Sequence, residues 1–217
     1  MSHKPHLYGY FFSSASLRVV AALHLKGIDF DYTAINLKDG EEYSAEFSKI
    51  NPLNSVPVLE HSGNTITQSV AILEYLEETF PDTQKLLPEG VVTRAYVRSL
   101  VNIIACDIHP IDNLRVLKKL GDFGVSLEDA RGEKWYHHWV INGFKAFETH
   151  LEESPRSDFC YGNTPTLADV CLIPQVHNAN RFGVQIDSFP NIQRIFNNCM
   201  ALEAFQQASP LSQIDSP

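Results

Sequence analysis

The sequence predicts a chain in two parts, an α/β domain over residues 1–84 and an all-helical domain over residues 90–217. Three observations predict it. Strand-like and helix-like stretches alternate as far as Phe80, and a proline-rich break follows at Pro81 and Pro88-Glu89-Gly90. From Val91 onward strand signals nearly vanish and helical periodicity takes over.

Each element has its own signal. Leu7–Phe11 is a short aromatic run with strand character. Ser14–Lys26 places Leu17, Ala21 and Leu25 on one helical face, and Gly27 stops it. Ile28–Ile35 returns to a strand pattern, and Glu42–Ile50 is a short helix ended by Asn51-Pro52. Val56–Glu60 and Thr65–Ile66 flank Ser62-Gly63-Asn64, which reads as a hairpin turn. Ser69–Phe80 is a helix with Ile72, Leu73 and Leu76 inward and Glu74, Glu77 and Glu78 outward. The order is β-α-β-α-β-β-α. In the second part, Arg94–Leu120 reads as one long helix bent at Pro110, and Glu128–Glu153 as a second. Pro165–Asn180 is a third, and Pro190–Phe205 holds one or two more.

Composition narrows the function classes. Seventeen Lys and Arg stand against 26 Asp and Glu, a net charge of −9, and there is no basic tract. Nucleic-acid binders depend on neutralising phosphates, so this balance argues against one. A small anion in a locally positive pocket is still compatible with it. Cys106, Cys160, Cys171 and Cys199 match no zinc or C-x-x-C spacing and are expected to be reduced thiols, with no metal site. The start Met-Ser-His-Lys-Pro-His has no apolar run, so no secretory signal is expected. No stretch approaches the roughly 18 apolar residues of a membrane span, and the expected location is cytoplasmic.

Three junctions carry possible chemistry. Ser13, Ser14 and Ser16 lie where the first strand gives way to the first helix, a place with unpaired N–H groups and a potential that favours anions. Helix capping by one serine is the ordinary alternative. Val56-Pro57 precedes a strand, and the sequence leaves its isomer open. Gln68-Ser69 opens the next helix, where a backbone N–H, a hydroxyl and an amide together suit a carboxylate. All three fall at matching junctions of one βαβαββα unit.

That unit resembles the thioredoxin-like domain of the soluble glutathione transferases, and the helical half resembles their C-terminal domain. The likeness is closest to the zeta class, which includes bacterial maleylacetoacetate isomerase and maleylpyruvate isomerase. The zeta signature is close to S-S-C-x-W-R-V-R-I-A-L, and this chain reads Ser13-Ser14-Ala15-Ser16-Leu17-Arg18-Val19-Val20-Ala21-Ala22-Leu23. Asn51-Pro52, Val56-Pro57, Gln68-Ser69-Val70-Ala71-Ile72, Asp107-Ile108-His109-Pro110, Asn113-Leu114, Thr166-Leu167-Ala168-Asp169 and Arg181-Phe182 extend the match over nearly the whole chain.

The resemblance implies glutathione as cofactor and a set of roles. Ser14, beside Ser13, would hydrogen-bond the glutathione sulfur. Val56 would pair with its cysteinyl backbone beside a cis Pro57, and Gln68 and Ser69 would hold its γ-glutamyl carboxylate. His109 and Asn113 match positions near glutathione and the acidic substrate. Arg115 and Arg181 match arginines that bind substrate carboxylates, as a planar fork would. The implied reaction is cis–trans isomerisation of a small acidic diketo compound, maleylacetoacetate, in tyrosine and phenylalanine breakdown. A thiolate would add to the double bond, rotation would follow, and glutathione would be regenerated. The implied assembly is a homodimer, with the active cleft expected between the two halves. A zeta-like transferase that conjugates or dehalogenates small electrophilic acids is the alternative, and a non-enzymatic glutathione-binding protein a third reading.

Two departures bear on the substrate. Phe12 stands where the family usually has arginine, at the mouth of the substrate site, and Val20 replaces a second signature arginine. Ala15 stands where animal members carry cysteine, so no protein thiol acts there. His137 and His138, adjacent on a helix, are expected to face apart and bind no metal, and His3 and His6 to be surface groups. Thr166 and Asp169 have the spacing of a capping box, expected to serve folding.

Overall fold

A computed structural model describes residues 4–217; His3 lies outside the described residues. The described residues divide into two compact units, one of residues up to 86 with 201–217 and one of residues 87–200.

In the first unit a four-stranded sheet is built from β1 (His6–Gly9), β2 (Asp31–Ala34), β3 (Val58–His61) and β4 (Asn64–Thr67), in the order β2-β1-β3-β4. β1 runs parallel to β2 and antiparallel to β3, and β3 and β4 form a hairpin. Its two-residue loop has Ser62 at φ 51° and Gly63 at φ 78°. Two positive φ values match the right-handed twist of the flanking strands, which is why glycine sits in this turn. Gly9 is needed for another reason, because a Cβ there would lie 2.8 Å from the Tyr32 ring.

Three helices belong to this sheet: α1 (Ser14–Leu25), α2 (Ala45–Ile50) and α3 (Ser69–Thr79). Every residue of α1 from Ser14 to Leu23 is buried, including Arg18. Such all-round burial needs cover on several sides. α3 packs on α1, and so does α10 (Glu203–Gln207) from the far end of the chain. Past the end of α1, Lys26 pairs with Glu77 of α3 at 2.8 Å, their side chains 1% and 9% exposed, and also donates to the Gln84 carbonyl at 3.0 Å. Good geometry and the added hydrogen bonds offset the desolvation of the two charges.

The second unit is helical, with α4 (Val91–Asn102), α5 (Leu114–Lys119), α6 (Leu127–Arg131), α7 (Tyr136–Glu152), α8 (Leu167–Arg181) and α9 (Pro190–Met200). Two expected long helices are divided. The stretch 94–120 becomes α4, a π-helical segment Ile103–Ile108, a turn through Pro110 and then α5. Pro110 lacks the N–H a continuing helix needs, and Asn113 caps a fresh start. The stretch 128–153 breaks after α6, where Gly132 carries the high backbone entropy of glycine. Glu148 of α7, 6% exposed, takes the N–H groups of Asn191 and Ile192 at 2.8 and 3.0 Å and so satisfies the first turn of α9.

The helical half read as 90–217 differs in one respect, since residues 201–217 group with the first unit. Amphipathic spacing shows that α10 has an apolar face, but a helical period carries no information about which partner covers it.

Candidate active site

The sheet register brings three distant segments to one end. Tyr8 pairs with Val58, and Val58 with Thr67. β1 therefore runs out towards Ser14 at the end where the chain enters β3 through Val56-Pro57 and leaves β4 through Gln68-Ser69. A sheet turns three sequence junctions into one locus.

Capping at the first junction falls to Ser13, whose Oγ accepts from the Ser16 N–H at 3.2 Å. Ser14 is the first residue of α1 and only 1% exposed. The Val56–Pro57 peptide bond is cis. Gln68 is exposed and takes φ 72°, a conformation glutamine seldom adopts. Strain of this kind costs about 1–3 kcal/mol and gathers at ligand clamps. Ser69 is buried at the start of α3, and its Oγ accepts from Arg18 Nη1 at 3.2 Å. A guanidinium behind a helix N-terminus makes that place doubly suited to an anion. Sequence reading placed Arg18 only within a signature; no periodic signal tells that its side chain crosses from α1 to α3. Phe12 is half-buried, its ring centroid 4.0 Å from that of Phe11.

The remaining candidates lie in the second unit. His109 is half-buried at the end of the π-helical segment, where its N–H donates to the Ile104 carbonyl at 2.9 Å. Asn113 caps α5 by accepting from the Arg115 N–H at 3.1 Å, and Arg115 itself is exposed. Arg181 ends α8, also exposed, with its guanidinium 5.3 Å from the centre of the Phe182 ring. Tyr136, 2% exposed, lies near both Asp112 and Arg181, and Gln175 Nε2 donates to its hydroxyl at 3.5 Å.

Asp112 was not singled out by the sequence. It is 8% exposed, and neither carboxyl oxygen has a hydrogen-bond partner. Burial pushes its pKa up to about 8. The unfolded carboxyl ionises near its ordinary value while the folded one holds its proton, so the folded state binds more protons between those limits. Stability should therefore fall as pH rises from about 4 towards 8. Asp112→Asn is expected to raise the urea midpoint at neutral pH and to flatten this slope, the gain being on the order of 3–5 kcal/mol at most. An unchanged slope between the two proteins would contradict the assignment.

His137 is half-buried with Nε2 2.6 Å from the Phe182 carbonyl, whereas His138 is exposed and bonds to Asn142 at 3.0 Å. The two do face apart. Among the described residues no group of three His, Cys, Asp or Glu could hold a metal ion. The four cysteines are free thiols, Cys106 exposed and the other three buried. The capping box of Thr166 and Asp169 is present at the start of α8.

Residues 4–78 match the family model of the glutathione S-transferase N-terminal domain, and residues 140–203 that of the C-terminal domain. Maleylacetoacetate isomerase of Rattus norvegicus is 46% identical over 216 residues, covering 99% of this chain and 96% of its own. A holo structure of maleyl pyruvate isomerase, a bacterial zeta-class glutathione S-transferase, superposes with a TM-score of 0.94 at 40% identity, covering 98% of this chain and 100% of that one. Maleylacetoacetate isomerase from Methylobacterium extorquens AM1, solved with malonate and glutathione bound, gives a TM-score of 0.93 at 36% identity, covering 98% and 99%. With both halves of the fold and nearly the full length matched, the chain belongs to the zeta-class glutathione transferase family, among the relatives of the maleylacetoacetate and maleylpyruvate isomerases.

Proposed function

We propose that this protein is a glutathione-dependent cis–trans isomerase that converts maleylacetoacetate to fumarylacetoacetate. The observation that carries the reading is the meeting of Ser14, Val56-Pro57 and Gln68-Ser69 at one end of the sheet, in a chain similar over its full length to isomerases of this type. The donor set fits glutathione. A buried hydroxyl at a helix start suits a sulfur, and Ser69 backed by Arg18 suits a carboxylate. Glutathione, when bound, supplies a thiol nucleophile that adds reversibly to a cis double bond.

The chain's own residues do the rest. Ser14 donates a hydrogen bond to the sulfur, and the positive end of α1 adds to it, both favouring the thiolate. Val56 orients the cysteinyl backbone, while Gln68 and Ser69 fix the γ-glutamyl end. His109 and Asn113 would serve glutathione and the acidic substrate, and Arg115 and Arg181 would take substrate carboxylates. The protein acts as a homodimer in the cytoplasm on a small acidic diketo compound of aromatic amino-acid breakdown. No helix among the described residues is long and apolar enough to cross a membrane.

Phe12 favours a second reading. A half-buried aromatic ring packed on Phe11, in place of a cation, suits a less charged electrophile and hence conjugation or dehalogenation of small acids. Ultraviolet-monitored conversion of maleylacetoacetate with catalytic glutathione decides between them, run beside thiol consumption with a 2-halo acid. Turnover without loss of glutathione is the expected result. A folded, glutathione-binding sample that consumes glutathione with the halo acid and leaves maleylacetoacetate unchanged would overturn the isomerase reading.

A further inference from the structure

The turn between β1 and α1 carries Phe12, Ser13 and Ser14, and the backbone N–H groups of Tyr10, Phe11 and Ser13 donate three of the hydrogen bonds that shape it. Two are local: the Ser13 N–H donates to the Tyr10 carbonyl at 2.9 Å, and the Tyr10 N–H to Ser16 Oγ at 3.4 Å. The third comes from 204 residues away, where the Phe11 N–H donates to Asp215 Oδ2 at 3.0 Å. The other carboxylate oxygen, Oδ1, accepts from the Tyr32 hydroxyl at 3.4 Å. Tyr32 stands on β2 with its ring against Gly9 of β1. Its burial and the nearby Asp215 charge hold the phenol well above its ordinary pKa, so it stays protonated and donates.

The tail that delivers Asp215 is itself anchored. Gln213 Nε2 donates to the carbonyls of Gln207 and Ser209 at 2.7 and 3.0 Å, tying the tail to α10. Because α10 packs on α1, the carboxylate is referenced to the helix whose start it helps to place. A charged acceptor on a backbone N–H is worth about 1.5–3 kcal/mol, above the 0.5–1.5 of a neutral one. Phe11 is buried, so an N–H left without its acceptor would drive a local rearrangement instead of finding bulk water.

We propose that Asp215 is a positioning residue for Ser14, its carboxylate holding the β1–α1 turn in the geometry that directs the Ser14 hydroxyl at the glutathione sulfur. This rests on the reading that Ser14 holds that sulfur. Val56, Gln68 and Ser69 sit on other segments, so the effect should fall on thiol activation more than on glutathione affinity.

The test is the ultraviolet absorbance of the bound thiolate against pH, in the full chain with glutathione alone, together with kcat and KM for glutathione. Asp215→Ala is expected to raise the pKa of the bound thiol and to lower kcat roughly tenfold, with KM for glutathione changed less than about threefold. Asp215→Asn keeps an acceptor for the Phe11 N–H and should restore most of the activity. Hydrogen exchange in the wild type should show the Phe11 amide protected, and this measurement stands even where the alanine variant does not fold. A freely exchanging Phe11 amide, or an alanine variant with a wild-type thiol pKa and kcat, would overturn the proposal. A wild-type protein that binds glutathione without lowering its thiol pKa would instead remove the underlying role of Ser14, whatever the Asp215 variants do.

Discussion

Ser14→Ala is expected to lower glutathione-dependent turnover by roughly 30- to 150-fold while leaving the fold intact. The rate effect follows from losing a hydrogen bond to a charged sulfur, worth about 2–3 kcal/mol, with each 1.4 kcal/mol a factor of ten. The intact fold follows from local structure. Ser13, not Ser14, caps α1 through the Ser16 N–H, so the cap survives. Alanine has the highest intrinsic helix propensity and does not weaken the first turn. The stability change should stay within about 1 kcal/mol. Steady-state kinetics, thermal melting and the bound-thiol absorbance read the three quantities separately. Equal kcat in wild type and variant would take Ser14 out of the sulfur-binding role.

The largest effect on stability is expected from Asp169→Ala. Asp169 is fully buried and accepts three hydrogen bonds at 2.8 Å, from the Cys160 N–H, the Thr166 N–H and the Thr166 hydroxyl. The buried Cys199 thiol adds a longer contact at 3.9 Å. Burial pushes the Asp169 pKa up, while the hydrogen bonds to it pull the other way. Removing the carboxylate strands two backbone N–H groups in a dry interior and opens a cavity. A loss of about 3–5 kcal/mol is expected, enough to leave little folded protein at elevated temperature. Urea unfolding followed by tryptophan fluorescence reports it, since Trp135 and Trp139 both lie in the helical unit. Asp169→Asn retains one acceptor and should recover part of the loss. A midpoint that hardly moves in the alanine variant would mean the box is dispensable for folding.

These two residues differ in how they could be found. Asp169 was legible because a capping box is a four-residue pattern whose partners are neighbours in sequence. Ser14 was legible as one of three serines at a helix start, but which one caps and which one turns to other work depended on the backbone at Ser13. Gln68 and Ser69 were readable as a helix start, yet the positive φ of Gln68 and the guanidinium of Arg18 behind Ser69 were not. Asp112 carried no signal at all. An acidic residue in a Pro-Ile-Asp-Asn turn reads as surface, and only its enclosure beside Tyr136 makes its proton hard to lose.

Local interactions account for what could be read from the chain alone. The β-α-β-α-β-β-α order, the hairpin at Ser62-Gly63, a serine cap at the start of the first helix, the capping box at Thr166 and the junctions that carry the candidate residues all arise between residues a few positions apart. The isomer of Val56–Pro57, the bond from Arg18 to Ser69, the burial of Asp112 and the reach of Asp215 back to Phe11 needed the folded molecule. Each depends on which apolar faces pack together, and periodicity marks a face without naming its partner. The same holds for α10, whose packing on α1 puts the end of the chain beside its beginning.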